Sequence, residues 1–313
     1  MRTLTSFVAG PRGIRWTQQR ADAALGLVAM AWGSSYLLMK MGLEGIPPLS
    51  MIALRFGIAF LTVAPIFSRQ LRRTTSRTLR HGAILGLFLF GLFAFLMYGL
   101  RTTSASAAGF LTSATVVFVP LLQAIFRRRV PDAATVVGTA AVMAGIGLLT
   151  LRDAMTLQWG ELLCLGGALL YACQILLTDV FTHQEDGLLL GVWQLAFAAL
   201  LGFVASLLLE VPAWPANAAQ WAAVLGLALL CSAFGFVLQP VAQRYTTPEH
   251  AGLLFAMEPV FSALLAFLFL RETLDARGYA GAALILVSVL FAARGKPSPQ
   301  GATATQSEDV RYA

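Results

Sequence analysis

Long apolar stretches, separated by short polar connections, follow one another along almost the whole chain. A helix needs roughly 17 to 25 mostly apolar residues to cross the hydrocarbon core of a bilayer. We therefore predict an all-α integral membrane protein with ten transmembrane helices. They lie at about residues 22–40, 49–68, 82–100, 107–126, 133–151, 157–179, 188–209, 219–241, 250–270 and 276–294.

The composition agrees with lipid as the main surrounding solvent. Apolar residues make up 58% of the 313 positions and charged residues only 12%, whereas a soluble domain carries about 25% charged residues. The net charge of +7 comes largely from arginines in short connections, and the enrichment of basic residues in cytoplasmic loops accounts for them. We therefore expect the lipid bilayer as a partner and no nucleic acid.

Sequence motifs for catalysis or metal binding do not occur. Cys164, Cys173 and Cys231 lie in apolar stretches without CxxC spacing, so packing explains them best. The chain also lacks HExxH, GxSxG and the Walker A motif of ATP hydrolysis. We expect no enzyme activity, no cofactor, no metal and no ATP-driven pumping.

The distribution of lysine and arginine predicts the orientation. With the N-terminus in the cytoplasm, sixteen of these residues fall on the inner side and five on the outer side. Because basic residues concentrate in cytoplasmic loops, we predict a multi-pass protein of the cytoplasmic (inner) membrane. Residues 1–21 then form a cytoplasmic tail, and the polar residues 295–313 form a second, disordered cytoplasmic tail.

The chain also repeats itself. Each copy contains five predicted helices, an odd number, so the second copy enters the membrane with opposite polarity. We therefore predict two inverted repeats, residues 22–152 and 157–294. A shift of 143 residues aligns Arg101 with Arg244, Thr103 with Thr246, Gly109 with Gly252, Phe118 with Phe261, Arg128 with Arg271, Asp132 with Asp275 and Gly138 with Gly281.

Inverted halves favour a transporter of small solutes. Two similar bundles that exchange conformations open a mid-membrane site first to one side and then to the other, which is alternating access. Proton coupling and facilitated diffusion both stay open as energy sources. The alternatives are a passive channel or uniporter, in which the duplication is an evolutionary relic, and an intramembrane enzyme or lipid-handling scaffold.

Several short motifs together resemble the EamA branch of the drug/metabolite transporter superfamily. The resemblance extends over about residues 22–294. It implies ten helices around a central cavity and a protein of the amino-acid exporter type, including export of aromatic or other apolar amino acids. Arg127-Arg128-Arg129 departs from the Gly-Glu pair common in the family. The motifs are Trp32-Gly33-Ser34-Ser35, Arg55-Phe56, Thr103-Ser104-Ala105-Ser106-Ala107-Ala108-Gly109-Phe110, and Glu258-Pro259-Val260 followed by Arg271-Glu272.

Two ionisable residues lie inside predicted helices. An ionised Glu258 near mid-membrane would cost a few kcal/mol, so it should face a cavity, a partner or a proton; the alternative is a brace for the helix break at Pro259. Arg55 suits a substrate carboxylate, which guanidinium binds with two hydrogen bonds; a bond between helices is the alternative. A shift of 139 residues aligns Arg55 with the polar Gln194.

Aromatic and polar residues complete the predicted site. The same 139-residue shift aligns Trp32 with Tyr171 near mid-helix, and we expect both in a cavity for small amphipathic or zwitterionic solutes. Tyr36, Tyr98 and Trp193 have interfacial anchoring as an alternative. Further cavity candidates are Ser35, Tyr98, Gln123, Gln174 and Gln239, and candidate helix breaks or packing kinks are Pro120, Pro240 and Pro259.

Glycines in the third, fifth and tenth predicted helices form small-residue faces. Such faces let helices approach closely, and packing within one chain is the simplest explanation. A homodimer through the fifth or tenth helices is the alternative.

Overall fold

The computed structural model describes residues 16–103, 105–127, 133–150, 159–262 and 276–293. These residues are mostly helical, which confirms the prediction of an all-α protein for this part of the chain. A π-helical segment, Gly226–Gly235, joins α11 to α12, and residues 258–262 form a further helical segment. The helices are α1 Gln18–Gly33, α2 Ser35–Leu43, α3 Pro48–Ile66, α4 Ser68–Leu71, α5 Ser76–Leu100, α6 Ala105–Thr112, α7 Thr115–Arg127, α8 Ala133–Thr150, α9 Trp159–Thr182, α10 Gly187–Leu209, α11 Ala218–Leu225, α12 Phe236–Gln243, α13 Pro248–Phe255 and α14 Ala276–Ala293.

Six of these helices or helix runs are long and apolar enough to cross a membrane. Two shorter apolar helices, Thr115–Phe126 and Val136–Gly145, fall in the fourth and fifth predicted spans. The last part of the ninth predicted span, residues 263–270, lies outside the described residues. So do residues 1–15, 104, 128–132, 151–158, 271–275 and 294–313. The six are Gln18–Leu43, Pro48–Ile66, Ser76–Leu100, Trp159–Thr182, Gly187–Leu209 and Ala218–Gln243.

Apolar side chains cover the outside of the bundle. Leu208 is 76% exposed, Phe126 73% and Leu61 70%. An apolar surface of this extent is unfavourable in water. It is the surface that hydrocarbon chains of a bilayer would cover.

The long helices pack closely against one another in the centre. Helix α10 runs beside both α3 and α5, and α9 runs beside α5. At one edge α8 packs on α14, where a Cβ atom on Gly145 would lie only 2.8 Å from the carbonyl oxygen of Gly281. These two glycines therefore serve packing within the chain.

The connections gather at two ends of the bundle. The end where α1 begins, here called the N-terminal face, brings distant connections together. The Arg77 Nε atom lies 3.3 Å from Glu185 Oε1, and Gln18 Nε2 lies 3.3 Å from His250 Nδ1. Trp193 Nε1 also donates to Thr74 Oγ1 at 2.9 Å.

The other end, here called the opposite face, is held by two charged side chains. The Glu210 carboxylate accepts from the backbone N–H groups of Leu49 and Ser50 at 3.0 and 3.2 Å. These groups belong to the first turn of α3, where an anion is favoured by unpaired N–H groups and the helix dipole. Lys40 donates to the carbonyl oxygen of Leu100 at 2.9 Å, at the end of α5.

Candidate functional site

Two helix interruptions lie at equivalent positions of the two sequence copies. Helix α6 ends at Thr112 and α7 begins at Thr115, while α13 ends at Phe255 and the next helical segment begins at Glu258. The interruptions are 143 residues apart, the same shift that aligns the copies. Thr115 and Glu258 are therefore equivalent residues, and each is the first helical residue after a break.

A cavity lies beside both interruptions. It is small and adjoins a second, smaller cavity that shares Tyr36, Thr112, Tyr171 and Glu258. Trp32, Tyr36, Tyr171 and Glu258 are each less than a tenth exposed. The larger cavity is lined by Trp32, Ser35, Tyr36, Leu92, Phe93, Leu96, Thr112, Tyr171, Phe236 and Glu258.

Glu258 has spare hydrogen-bonding capacity in this cavity. Its Oε2 atom accepts from the Tyr36 hydroxyl at 3.5 Å, which is the long limit of a hydrogen bond. The nearby Tyr171 hydroxyl is buried and has no partner among the described residues. Thr115, the equivalent of Glu258, instead bonds the carbonyl oxygens of Thr112 and Ala168 at 2.7 and 3.0 Å. At these two equivalent positions, therefore, the second copy has an acid with free acceptor positions in the cavity and the first copy has none.

Trp32 anchors the aromatic wall of the cavity. Its indole N–H donates to the carbonyl oxygen of Cys231 at 2.7 Å. Its ring centroid lies 4.6 Å from that of Phe236, 5.1 Å from Phe255 and 6.0 Å from Tyr171. These tilted and edge-to-face contacts are favourable aromatic geometries. The wall is apolar and holds its tryptophan in a fixed orientation.

Four glutamines form a buried amide network on the side of the cavity that faces the N-terminal face. Gln174 Nε2 donates to Gln194 Oε1 at 3.1 Å, and Gln239 Nε2 donates to Gln174 Oε1 and Gln243 Oε1 at 3.2 Å each. All four are fully buried. The Gln239 Oε1 atom lacks a donor among the described residues. The network joins α9, α10 and α12 with uncharged groups.

Arg55 lies on α3 and is fully buried. Its Nε donates to Ser232 Oγ at 3.0 Å, and its guanidinium carbon lies 4.1 Å from the ring centroid of Phe93 and 4.8 Å from that of Phe56. A cation over an aromatic face is attracted by the ring. Phe93 therefore contacts both the cavity and Arg55.

The structure brings some of the predicted cavity residues together and separates others. Trp32, Ser35, Tyr171 and Glu258 line the cavity. Gln174, Gln239 and Arg55 lie behind its wall, as described above.

Tyr98 and Gln123 do not line either cavity. The Tyr98 hydroxyl donates to Glu210 Oε1 at 2.8 Å on the opposite face, because Tyr98 lies near the end of α5. Gln123 lies on α7 and is partly exposed, and its Oε1 atom is buried without a partner among the described residues.

The three prolines also differ in position. Pro259 is the second residue after the α13 interruption, Pro120 lies within α7, and Pro240 lies within α12 just after the π-helical segment. A proline in the first turn of a helical segment removes no helical hydrogen bond. Pro259 therefore fits the restart of its helix, whereas Pro240 leaves a carbonyl group without its helical donor.

Sequence reasoning left Tyr36 open between the cavity and an interfacial anchor, and in the structure it lies in the cavity. The signal was available: Tyr36 follows Trp32 by four residues, so both belong to one side of the first span. Phe93 and Thr112 gave no such signal, because they are ordinary residues of apolar helices.

Comparison with known proteins places this architecture in a family. Residues 20–151 and 158–294 each match the model of the EamA-like transporter family. The chain belongs to the EamA-like transporter family. This membership confirms the resemblance to the drug/metabolite transporter superfamily and makes the chain a membrane transporter.

Several relatives match this chain over most of its length. An uncharacterized transporter of Archaeoglobus fulgidus is 28% identical over 271 residues, 87% of this chain and 85% of that protein. A probable amino-acid metabolite efflux pump of Escherichia coli is 25% identical over 287 residues, covering 86% and 94% of the two chains. One solved crystal structure matches with a TM-score of 0.73 at 20% identity over 88% of this chain and 96% of that one. The solved structure supports the fold.

Proposed function

We propose that this EamA-like protein exports small metabolites, with amino acids as the leading class, across the cytoplasmic membrane by alternating access. The observation that carries the proposal is the buried cavity between helix interruptions at equivalent positions of the two copies. Interrupted helices free backbone groups in the middle of a membrane, and transporters use such places to bind substrates. The relative named as a probable amino-acid metabolite efflux pump supports the substrate class.

The positions of equivalent connections support an inverted arrangement of the copies. The connection around Thr74 contacts Trp193 on the N-terminal face. A shift of 139 residues takes this connection to the one around Ala213, which follows Glu210 on the opposite face. Equivalent connections thus lie at opposite ends of the bundle. The two separate matches to the family model support the same division of the chain.

The cavity lining favours a solute with an apolar part and a positive group. Trp32, Phe236 and Tyr171 offer aromatic surface, and Glu258 offers carboxylate oxygens with a single long contact. An ammonium group or a proton would satisfy those oxygens. Aromatic and other apolar amino acids combine both parts.

Transport of labelled phenylalanine into proteoliposomes tests the proposal. We expect saturable counterflow, and we expect an imposed pH gradient to change its rate if Glu258 exchanges protons during the cycle. Glu258→Gln should abolish any dependence on the gradient, whereas Glu44→Gln, at an exposed position, should behave as the unmodified protein. Flux that rises linearly with concentration would identify a channel and refute the carrier.

Labelling of single cysteines tests the inverted arrangement. Arg72→Cys and Val211→Cys are exposed and equivalent under the 139-residue shift. In closed vesicles a membrane-impermeant maleimide should reach only one of them from a given side. Labelling of both from the same side would contradict inverted copies.

A further inference from the structure

Arg55 is a buried cation that forms no ion pair with any of the described residues. It is fully buried, and its NH2 atom has no hydrogen-bond partner among the described residues. Its polar contacts are uncharged: Ser232 Oγ at 3.0 Å and the Met39 sulfur at 3.7 Å. Within the described part of the chain, no carboxylate lies within salt-bridge distance of it. Buried charges are normally paired, because the free energy lost when a charge leaves water exceeds the stabilisation that uncharged neighbours provide.

Two residues that contact the guanidinium each lie one helical turn from a cavity residue, and they belong to two neighbouring helices. Met39, which it touches, follows the cavity residue Ser35 by four residues. Ser232, which it also touches, precedes the cavity residue Phe236 by four residues. Because α2 runs toward the opposite face and the π-helical segment and α12 run away from it, both displacements point the same way. Arg55 therefore lies between the cavity and the opposite face.

Phe93 is the residue that contacts both Arg55 and the cavity. Its ring lines the cavity, and the guanidinium carbon lies 4.1 Å from the ring centroid. Side chains move between discrete χ1 rotamers, so a different Phe93 rotamer would take the ring away from its place against the guanidinium.

The two copies differ in charge at this position. Gln194, the equivalent of Arg55, lies in the amide network toward the N-terminal face, and its amide groups bond Gln174 and Phe236. Its hydrogen bonds are made within the protein, whereas Arg55 retains an unused donor. The cavity thus has neutral amides on one side and an incompletely bonded cation on the other.

We propose that Arg55 is an anion-binding subsite that takes the carboxylate of the transported solute when Phe93 moves aside. This rests on the proposed carrier function and restricts its substrates to solutes with a carboxylate. A planar guanidinium binds a carboxylate in a bidentate manner, and the free NH2 atom provides a donor for that geometry.

Binding to the purified, detergent-solubilised full chain tests the subsite separately from transport. The probes are 3-phenylpropanoate, which has only the carboxylate, and 2-phenylethylamine, which has only the ammonium group. We expect Arg55→Gln to weaken 3-phenylpropanoate binding by about tenfold or more while 2-phenylethylamine binding is unchanged. Arg55→Lys should retain part of the affinity, and Arg101→Gln, at an exposed arginine, should retain all of it.

The unfolding temperature without ligand separates a binding role from a structural one. If Arg55 serves to bind the anion of a solute, Arg55→Gln should leave the unfolding temperature unchanged or raise it, because the substitution removes a buried unpaired charge. A clear fall in the unfolding temperature would show that Arg55 serves to bond helices and would overturn the proposal. Undetectable 3-phenylpropanoate binding by the unmodified protein, or equal binding by Arg55→Gln, would overturn it as well. Failure of phenylalanine counterflow would refute the carrier but not the anion subsite.

Discussion

Gln194 donates a 2.7 Å hydrogen bond to the carbonyl oxygen of Phe236. In an uninterrupted α-helix this oxygen would accept from the N–H group of residue 240, but residue 240 is proline and has none. A side chain of α10 thus replaces a backbone donor that α12 lacks. Both residues lie next to the cavity, so the kinked helix keeps its backbone satisfied where it forms the cavity wall.

Gln194→Leu should lower the free energy of unfolding by about 1–3 kcal/mol, because a buried carbonyl group loses its donor. Pro240→Ala restores a backbone N–H group at the position that would serve Phe236. The double variant should therefore lose less stability than the sum of the two single variants, as thermal unfolding in detergent can measure. Strictly additive losses would show that the two residues do not act on the same oxygen.

Gly235→Ala should disturb the aromatic wall. A Cβ atom on Gly235 would lie 2.3 Å from Trp32 Nε1, so the indole must move and its bond to Cys231 must lengthen or break. We expect a loss of about 1–3 kcal/mol in stability from overpacking, a changed tryptophan fluorescence spectrum and slower phenylalanine counterflow. Gly26→Ala is the control, since nothing lies within 4 Å of a Cβ atom there. Equal effects of the two substitutions would argue against this contact.

Tyr98→Phe should reduce stability by about 1 kcal/mol through the lost bond to Glu210. It should leave the KM of phenylalanine transport unchanged, because Tyr98 lies outside the cavity. Tyr36→Phe removes a hydroxyl from the cavity wall beside Glu258 and should raise the KM. A raised KM for Tyr98→Phe, with the Tyr36→Phe value unchanged, would reverse this assignment.

A covalent link across the N-terminal face should stop transport. Gln18 and His250 are in contact there and belong to the first span and to α13. In a variant with Cys164, Cys173 and Cys231 replaced by alanine, Gln18→Cys and His250→Cys can be joined by a short reversible crosslinker. Alternating access requires this face to open, so counterflow should fall on linking and return after reduction. An unchanged rate in the linked protein would refute opening between these two helices.

The long helices were predictable from sequence because apolar length alone determines them. The interruptions at Ser113-Ala114 and Ala256-Met257 were not, since neither pair contains glycine or proline, the residues that usually mark a break. Pro259 gave a correct signal near one interruption. Pro120 lies six residues beyond the other, within a continuous helix.

Single polar residues were easier to find than their partners. Gln174 and Gln239 stood out as amides in apolar helices, but the network also needs Gln194 and Gln243, which come from different turns and helices. Arg55 stood out for the same reason. Its separation from the cavity by Phe93 depends on how three helices pack, and no local pattern encodes that.

The equivalence of Thr115 and Glu258 under the 143-residue shift has a consequence for redesign of the cavity. Thr115 bonds the neighbouring carbonyl groups of Thr112 and Ala168 and so holds its own interruption in place. Glu258 makes a single long contact and presents its carboxylate to the cavity. Substitutions at residue 258 should therefore change what the cavity binds and leave the contacts of the other interruption intact.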